Sequence, residues 1–273
     1  MTKIFFIFIL SVSFLVGCSA NFLKELASKN SDDAIIYDAQ VAVNEQNYDL
    51  AINLLTVKLS AVGQAKVEAR ETLASAYAGK CGLNFIDFVD GLANASSGSA
   101  FILVSSPFVG KVVQPNYCLQ SLQTLDLIGS TATRTTDQNA FASVVGMVLM
   151  GSATRLYTDN NPTDGDGVQD VADISCTLTD AQIDNVVLGY GYMAKNFSAL
   201  TTDQIGSSSG DAISDSIDAC TAAAGSSCEI TDPAAITDDL RKTMRDLLNT
   251  VDYGVGTVDG SNPLLIPGAC LPI

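Results

Sequence analysis

The sequence predicts an all-α protein, a helical-repeat solenoid or bundle of antiparallel helix pairs joined by long loops. Three observations predict this fold class. Apolar side chains recur at the three- and four-residue spacing of a helix face along most of the chain. The composition is 47% hydrophobic but only 7% aromatic, and it is rich in alanine, which suits closely packed helices. The segments between the periodic runs are rich in Ser, Asp and Gly, as loops are.

Nine helices follow from this spacing. The predicted segments are 32–44, 48–59, 64–79, 83–93, 117–127, 139–157, 181–200, 211–223 and 232–251. Asp137 and Asp180 are predicted N-caps, and Pro233 is suited to the first turn of the last helix. The run 101–104 fits a helix start or a lone strand, and Ser207 to Gly210 reads as a loop. We expect 139–157 to be a core helix rather than a membrane span.

Residues 1–17 have the pattern of an export signal. Lys3 precedes an apolar run of roughly a dozen residues, whereas a membrane span needs about 20. The run Leu-Val-Gly-Cys at 15–18 resembles the lipobox of bacterial lipoproteins. The resemblance implies a cleaved signal peptide, an acylated Cys18 carrying chains such as palmitate, and a tether at 18–31. The alternative is a plain signal peptide with an incidental cysteine.

Ser19 and the net charge bear on where the anchored protein lies. In the lipoprotein family an Asp after the cysteine usually retains the protein in the inner membrane, so Ser19 implies the outer membrane of a Gram-negative cell. We expect the domain to face the periplasm, with the cell surface as the alternative. A net charge of −16 repels nucleic acid and anionic headgroups, so we expect no nucleic-acid partner and membrane attachment only through Cys18.

The remaining cysteines predict three disulfides. The chain has seven cysteines, and lipidation of Cys18 leaves an even number in an oxidising compartment. The sequence does not decide the connectivity. We favour the pairs Cys81–Cys118, Cys176–Cys270 and Cys220–Cys228, of which the last closes a short loop. The chain contains no His and no CxxC spacing, so thiolate zinc binding is a poor alternative.

Residues 32–95 carry a repeat-like pattern. The run Asn-Tyr-Asp-Leu-Ala-Ile at 47–52 resembles the second-helix start of tetratricopeptide repeats, and Leu-Ala-Ser-Ala-Tyr at 73–77 resembles the first-helix motif. Asp38 departs from the family, which has Leu there. The resemblance implies stacked helix pairs over 32–95, with 96–273 as a further helical region of the same domain packed on them. An unrelated helical bundle is the alternative.

An acidic loop over 159–173 is a candidate calcium site. Its Asp- and Gly-rich run resembles calcium loops of the EF-hand and thrombospondin type 3 kinds. The resemblance implies five ligands: Asp164, Asp166, the carbonyl of Val168, Asp170 and Asp173. Pro162 stands where the family has its first Asp, and no Glu closes the loop. A solvated acidic loop without metal stays open as the alternative, and we expect no other cofactor.

The sequence argues against catalysis. Without His the chain can form neither a Ser-His-Asp nor a Cys-His arrangement, and it contains no phosphate-binding or dinucleotide-binding motif. We therefore expect a non-enzymatic outer-membrane lipoprotein that serves as a scaffold or adaptor for an envelope protein.

Two alternatives remain. One is a small-molecule-binding component of an envelope solute transport system, because the chain is similar to lipid-anchored helical-repeat proteins associated with periplasmic transporters. Surplus apolar positions at 140–157 and 183–197 would line its pocket. The other is a calcium-stabilised surface structural protein.

Overall fold

The computed structural model of the 273-residue chain describes residues 30–94, 98–158, 174–224, 228–250 and 252–255. Within these ranges the chain is helical and holds no β-strand, which confirms the predicted all-α class. In chain order the helices are α1 (Asp32–Asn44), α2 (Tyr48–Asn53), α3 (Ala61–Gln64), α4 (Val67–Cys81), α5 (Phe85–Ala93), α6 (Ala100–Ser105), α7 (Pro115–Asp126), α8 (Thr136–Thr158), α9 (Asp180–Asn196), α10 (Thr202–Ile205), α11 (Ser207–Ala224) and α12 (Asp238–Leu248). A π-helical turn at Leu54–Lys58 continues α2, and 3-10 turns lie at Ser106–Phe108, Ile174–Thr177, Phe197–Ala199 and Pro233–Ala235.

The helices α1, α2 and α4 pack together around a small core of their own. Its members are Ile36, Ala39, Ala42, Ala51, Leu55, Leu59, Ala69 and Ala76. Five of these eight residues are alanines, and their small side chains allow the helix backbones to approach closely. The ring of Tyr48 lies directly against Gly79, where a Cβ would be 2.2 Å from a ring carbon.

Helix α4 joins this small core to the main one. Ala69 and Ala76 lie in the small core, whereas Ala74, Ala78 and Cys81 lie in the main core. The principal neighbour of α4 is α7, and α5 packs instead on α10, α11 and the turn after α6. In a tetratricopeptide array α5 would be the hairpin partner of α4. The predicted repeat arrangement is therefore not confirmed.

Helices α8 and α9 form the centre of the main core. Their apolar side chains, such as Val144, Val148, Ile183 and Val186, are almost completely buried. In the described part of the chain α8 is the one helix long and apolar enough to cross a membrane, with a mean hydropathy of 1.3. Yet 72% of that apolar window is buried inside the protein, against α6, α7 and α9.

The C-terminal helices close the other side of the main core. Helix α12 packs on α9 and α11, and the chain after it returns to α6. The amide of Phe101 donates to the carbonyl of Tyr253 at 3.1 Å, and the Ser99 hydroxyl donates to the carbonyl of Gly254. These bonds tie residues 252–255 to the start of α6.

Two predicted N-caps are wrong by one or two residues. Helix α8 begins at Thr136, and the cap is Thr135, whose hydroxyl accepts from the amide of Gln138 while the Gln138 side chain accepts from the amide of Thr135. Helix α9 has the same capping box, with Thr179 and Gln182 in place of a cap at Asp180. The acidic residues Asp137 and Asp180 occupy the first turn, where the helix dipole favours them.

Two further boundaries also differ from the prediction. The last helix begins at Asp238 rather than at 232, because Asp232 caps a separate 3-10 turn at Pro233–Ala235 and Thr237 then caps α12. The predicted loop at 207–210 is the first turn of α11. Its Ser209 is buried, and the hydroxyl donates to the carbonyl of Leu92 at 2.7 Å, so tertiary contact stabilises a helix start that local composition disfavours.

Candidate interaction surface and polar cleft

Exposed apolar side chains are concentrated on the N-terminal helices. Among the described residues, eleven large hydrophobic side chains are exposed, and seven of them lie between 32 and 94. The seven are Tyr37, Leu50, Val57, Val62, Val67, Phe85 and Ile86, which we call the N-terminal apolar set. A single exposed apolar side chain needs no explanation, but a concentration of them in one part of a protein is typical of an interaction site.

Of the two most exposed valines of this set, one lies within an unusual turn and the other lies shortly after it. Val57 belongs to the π-helical turn Leu54–Lys58 and is 65% exposed, and Val62 in α3 is 76% exposed. A π-helical turn is rare and is found often at functional sites. The side-chain amide of Gln64 donates to the carbonyls of Thr56 and Leu59, both at 3.2 Å, and so holds this segment compact.

Asp32, at the start of α1, holds the segment that carries Val57 and Val62 against α1. Its carboxylate accepts from the Ser60 amide at 3.1 Å and from the Ser60 hydroxyl at 2.6 Å. These two bonds hold the pKa of Asp32 below its usual value. The fit is close, because a Cβ on Gly63 would lie 2.7 Å from a carboxylate oxygen of Asp32. The valines are thus presented on a segment that is fixed in place.

The N-terminal helices are acidic around these apolar side chains. Between residues 32 and 94 the chain has nine acidic and four basic side chains. Two of the bases already have acidic partners, since Lys66 pairs with Asp33 at 2.5 Å and Lys80 pairs with Asp49. An apolar partner surface bordered by basic side chains would complement this part of the chain in both shape and charge.

A groove of about 520 Å³ lies between α11 and α12. Ala219, Ala223 and Leu247 contribute apolar side chains, and Asp239 and Lys242 lie at its polar side. The apolar positions at 140–157 and 183–197 that were expected to line a pocket do not line this groove. Most of them are buried where α8 and α9 pack against each other and against their neighbours.

A smaller polar cleft of about 280 Å³ lies where the loop after α7 meets α9. Its central side chain is Arg134, which is 2% exposed and pairs with Asp126 at 3.1 Å. The Arg134 guanidinium also donates to the side-chain oxygens of Asn139 at 3.0 Å and Asn196 at 3.1 Å. The hydroxyl of Tyr192 donates to the second oxygen of Asp126. Burial, together with this bond, raises the pKa of Tyr192 well above its ordinary value.

Some of the site residues predicted from the sequence lie within the described ranges, and others lie outside them. Cys81–Cys118 and Cys220–Cys228 form disulfides, which confirms two of the predicted pairs. Cys176 is also disulfide-bonded, and its predicted partner Cys270 lies outside the described residues. The lipidation site Cys18 and the calcium-loop residues Asp164, Asp166, Val168, Asp170 and Asp173 lie outside them too. In the described ranges no group of His, Cys, Asp and Glu could hold a metal ion.

Sequence reasoning missed both the apolar set and the polar cleft. Val57 lies in the predicted helix 48–59 and Val62 lies between two predicted helices, and apolar spacing alone does not show that either side chain is exposed. For the cleft a weak signal existed: Arg134 is an isolated cation in a polar loop between two predicted helices.

Comparisons with known proteins identify no family for this chain. No protein-family model, no curated protein and no solved structure matches this chain.

Proposed function

We propose that this protein is a lipid-anchored, non-catalytic adaptor that binds an envelope protein through its N-terminal helices. The observation that carries the proposal is the N-terminal apolar set, with seven of the eleven exposed large hydrophobic side chains found in the described residues. Anchoring at Cys18 follows from the lipobox resemblance and is part of the same proposal. It would place the apolar set close to the membrane, because only the thirteen residues 19–31 separate Cys18 from α1.

The chemistry of the surface indicates the kind of partner. Exposed aliphatic side chains such as Val57, Val62 and Ile86 gain free energy when a partner removes them from water, at about 25 cal/mol per Å² of apolar area. The surrounding excess of carboxylates favours a partner with lysine or arginine at the edge of its contact surface. We therefore propose a protein partner whose contact patch is apolar at its centre and basic at its rim.

Crosslinking in intact cells tests the proposal. A photo-activatable amino acid is placed at Val57, Val62 or Ile86 of the full chain, with acylated Cys18 retained, and at Leu156 as a matched exposed position on α8. The crosslinked proteins are purified and identified by mass spectrometry. We expect one envelope protein to be captured from the N-terminal positions and not from Leu156.

A double variant gives an independent measurement. Val57→Ser with Val62→Ser removes two exposed side chains, so the free energy of unfolding should change by less than about 0.5 kcal/mol for each. Affinity for the captured partner should fall at least about tenfold, which corresponds to 1.4 kcal/mol. Capture of the same proteins from Leu156 and from the N-terminal positions, or no capture at all, would disprove the adaptor function.

A further inference from the structure

The polar cleft has a charge arrangement that does not arise from packing alone. Arg134 and Asp126 neutralise one another through their ion pair at 3.1 Å. Lys195, which also lines the cleft, is exposed, and its ammonium group contacts only the Thr231 hydroxyl at 3.4 Å in the described part of the chain. Asp232 follows Thr231, but its carboxylate accepts from the amide of Ala234 at 2.9 Å in its own turn. The cleft therefore keeps one positive charge without a carboxylate partner, in a protein whose net charge is −16.

Arg134, which lines the same cleft, has one hydrogen-bond donor left unused. A guanidinium has five N–H donors. Four of them are used by the side chains of Asp126, Thr131, Asn139 and Asn196. The second N–H of Nη1 has no acceptor among the described residues, although the side chain is 2% exposed. A buried charged group with an unused donor costs free energy unless water or a ligand supplies the acceptor.

We propose that this cleft binds a small organic monocarboxylate, through Arg134 within the cleft and Lys195 at its edge. One carboxylate balances the single unpaired charge of Lys195, and it supplies acceptors to the free N–H of Arg134 and to the Ser130 hydroxyl. Asp126 lies beside the site and repels a second negative charge, so the cleft disfavours dicarboxylates and phosphate. A volume of about 280 Å³ lies just below the range of roughly 300–1,000 Å³ typical of small-molecule pockets, as suits a ligand of only a few atoms.

The binding arrangement rests on a rigid frame. Asn196 and Asn139 hold the guanidinium from α9 and α8, and the Asn196 side chain also donates to the carbonyl of Tyr192 at 2.7 Å. The side-chain amide of Asn139 donates to the carbonyl of Thr131 at 2.9 Å, which fixes the loop that forms one wall. Because hydrogen bonds already hold these groups in place, binding of the ligand would cost little conformational entropy. The site is separate from the N-terminal apolar set, so this inference does not depend on the adaptor function.

Calorimetric titration of the full chain in detergent tests the proposal. The probes are acetate, pyruvate and lactate, with lactamide as the neutral analogue of lactate, and with succinate and inorganic phosphate as anions of higher charge. We expect at least one monocarboxylate to bind at one site with a Kd below about 1 mM, and lactamide, succinate and phosphate to bind at least about tenfold more weakly.

Matched variants locate the site. Lys195→Gln should weaken monocarboxylate binding at least about tenfold, whereas Lys111→Gln, which removes one positive charge from an exposed loop elsewhere, should leave it unchanged. Neither exposed lysine supports the fold, so circular dichroism should show both variants folded. The proposal is overturned if no monocarboxylate binds below about 1 mM, if lactamide or phosphate binds as well as lactate, or if Lys111→Gln has the same effect as Lys195→Gln.

Discussion

Gly146 in α8 and Gly189 in α9 lie face to face where the two central helices cross. A Cβ on Gly146 would lie 2.8 Å from the carbonyl oxygen of Gly189, and a Cβ on Gly189 would lie 2.8 Å from the carbonyl oxygen of Gly146. Each would also come within 2.6 Å of a backbone nitrogen, of Met193 and Met150 respectively. The two helices can therefore approach this closely only because both positions lack a side chain.

Gly146→Ala or Gly189→Ala should destabilise the protein. The added methyl group meets backbone atoms that cannot rotate away, so the helices must separate, at a cost of about 1–3 kcal/mol or more. This cost exceeds the gain of about 0.8–1.0 kcal/mol from the higher helix propensity of alanine. Urea unfolding followed by circular dichroism measures the difference.

The control for this pair is Gly210→Ala in α11. There the nearest neighbouring atom to an added Cβ is Ile205 Cδ1 at 3.7 Å, so only the propensity gain should appear, up to about 1 kcal/mol of added stability. Equal effects at Gly146 and Gly210 would show that α8 and α9 are not in backbone contact.

Two of the disulfides should contribute unequally to stability. Cys81–Cys118 spans 37 residues and Cys220–Cys228 spans 8. The entropy lost by the unfolded chain on closing these loops corresponds to about 3.8 and about 2.5 kcal/mol at 25 °C. Replacement of each pair by alanine, followed by urea unfolding without reductant, should therefore destabilise the Cys81–Cys118 variant more. The opposite order would mean that strain or residual structure outweighs loop entropy.

The positions of the longer helices could be predicted from the sequence, but their exact starts and the short helices α3 and α10 could not. Apolar spacing indicates where a helix face must be buried, whereas the first residue depends on a local exchange of hydrogen bonds. At Thr135 and Thr179 a threonine and a glutamine three residues later cap one another, and the neighbouring Asp is part of the first turn. The capping-box pattern was present in the sequence at both places.

The neighbours of α4 were harder to predict. Periodicity shows that α4 has buried faces, but it does not say which helix covers them. The actual neighbour α7 comes later in the chain, after α5 and α6, and the Cys81–Cys118 pair was the one sequence feature that pointed to it. The polar cleft was hard to predict for the same reason, because Arg134 donates a hydrogen bond to Asn196, which lies 62 residues later in the sequence. Long-range contacts of this kind leave no local pattern.

Tyr190 and Tyr192 should make the protein sensitive to alkaline pH. Burial is the largest cause that raises the pKa of both hydroxyls above the ordinary value of about 10. The folded state therefore favours the neutral phenol, and the stability from this preference is present below about pH 10 and is lost as pH rises further. Between roughly pH 8 and pH 11 the free energy of unfolding should fall less in Tyr190→Phe than in the wild type.

Phenolate absorbance provides a second measurement for these tyrosines. In the wild type, two of the eight tyrosines should ionise only together with unfolding, and Tyr190→Phe should remove one of them. Tyr37→Phe, at an exposed ring, controls for the loss of one tyrosine from the signal. An unchanged amplitude of the unfolding-linked step in Tyr190→Phe would contradict the burial of this hydroxyl.

Two buried threonines of α8 form a matched pair. The buried hydroxyl of Thr154 has no hydrogen-bond partner in the described part of the chain, whereas that of Thr158 donates to the carbonyl of Thr154 at 2.8 Å. Thr154→Val should leave stability unchanged or raise it by about 1 kcal/mol, because it removes an unpaired polar group. Thr158→Val should lower it by about 0.5–1.5 kcal/mol. Thermal unfolding of both variants tests this, and a larger loss at Thr154 would mean that its hydroxyl is paired.

Asp32 should make the N-terminal helices sensitive to acid. The Ser60 hydroxyl and amide bind its carboxylate and lower its pKa, so the folded state favours the ionised form. The stability this contributes is present above the unfolded pKa of about 3.9 and is lost as pH falls through the lower folded pKa. Asp32→Asn should therefore lose less stability than the wild type between roughly pH 5 and pH 2.

Asp32→Asn also tests whether the Asp32–Ser60 bonds hold the segment next to Val62 in place. Asp38→Asn, which removes an exposed carboxylate from the same helix, is the matched control. Because Asp32 holds Ser60 in place, its neutralisation should raise hydrogen exchange of the amides between Ser60 and Gln64, next to Val62, at neutral pH. If exchange in this segment is the same in Asp32→Asn and Asp38→Asn, the segment is fixed by the packing of Gly63 against Leu59 rather than by the Asp32–Ser60 bonds.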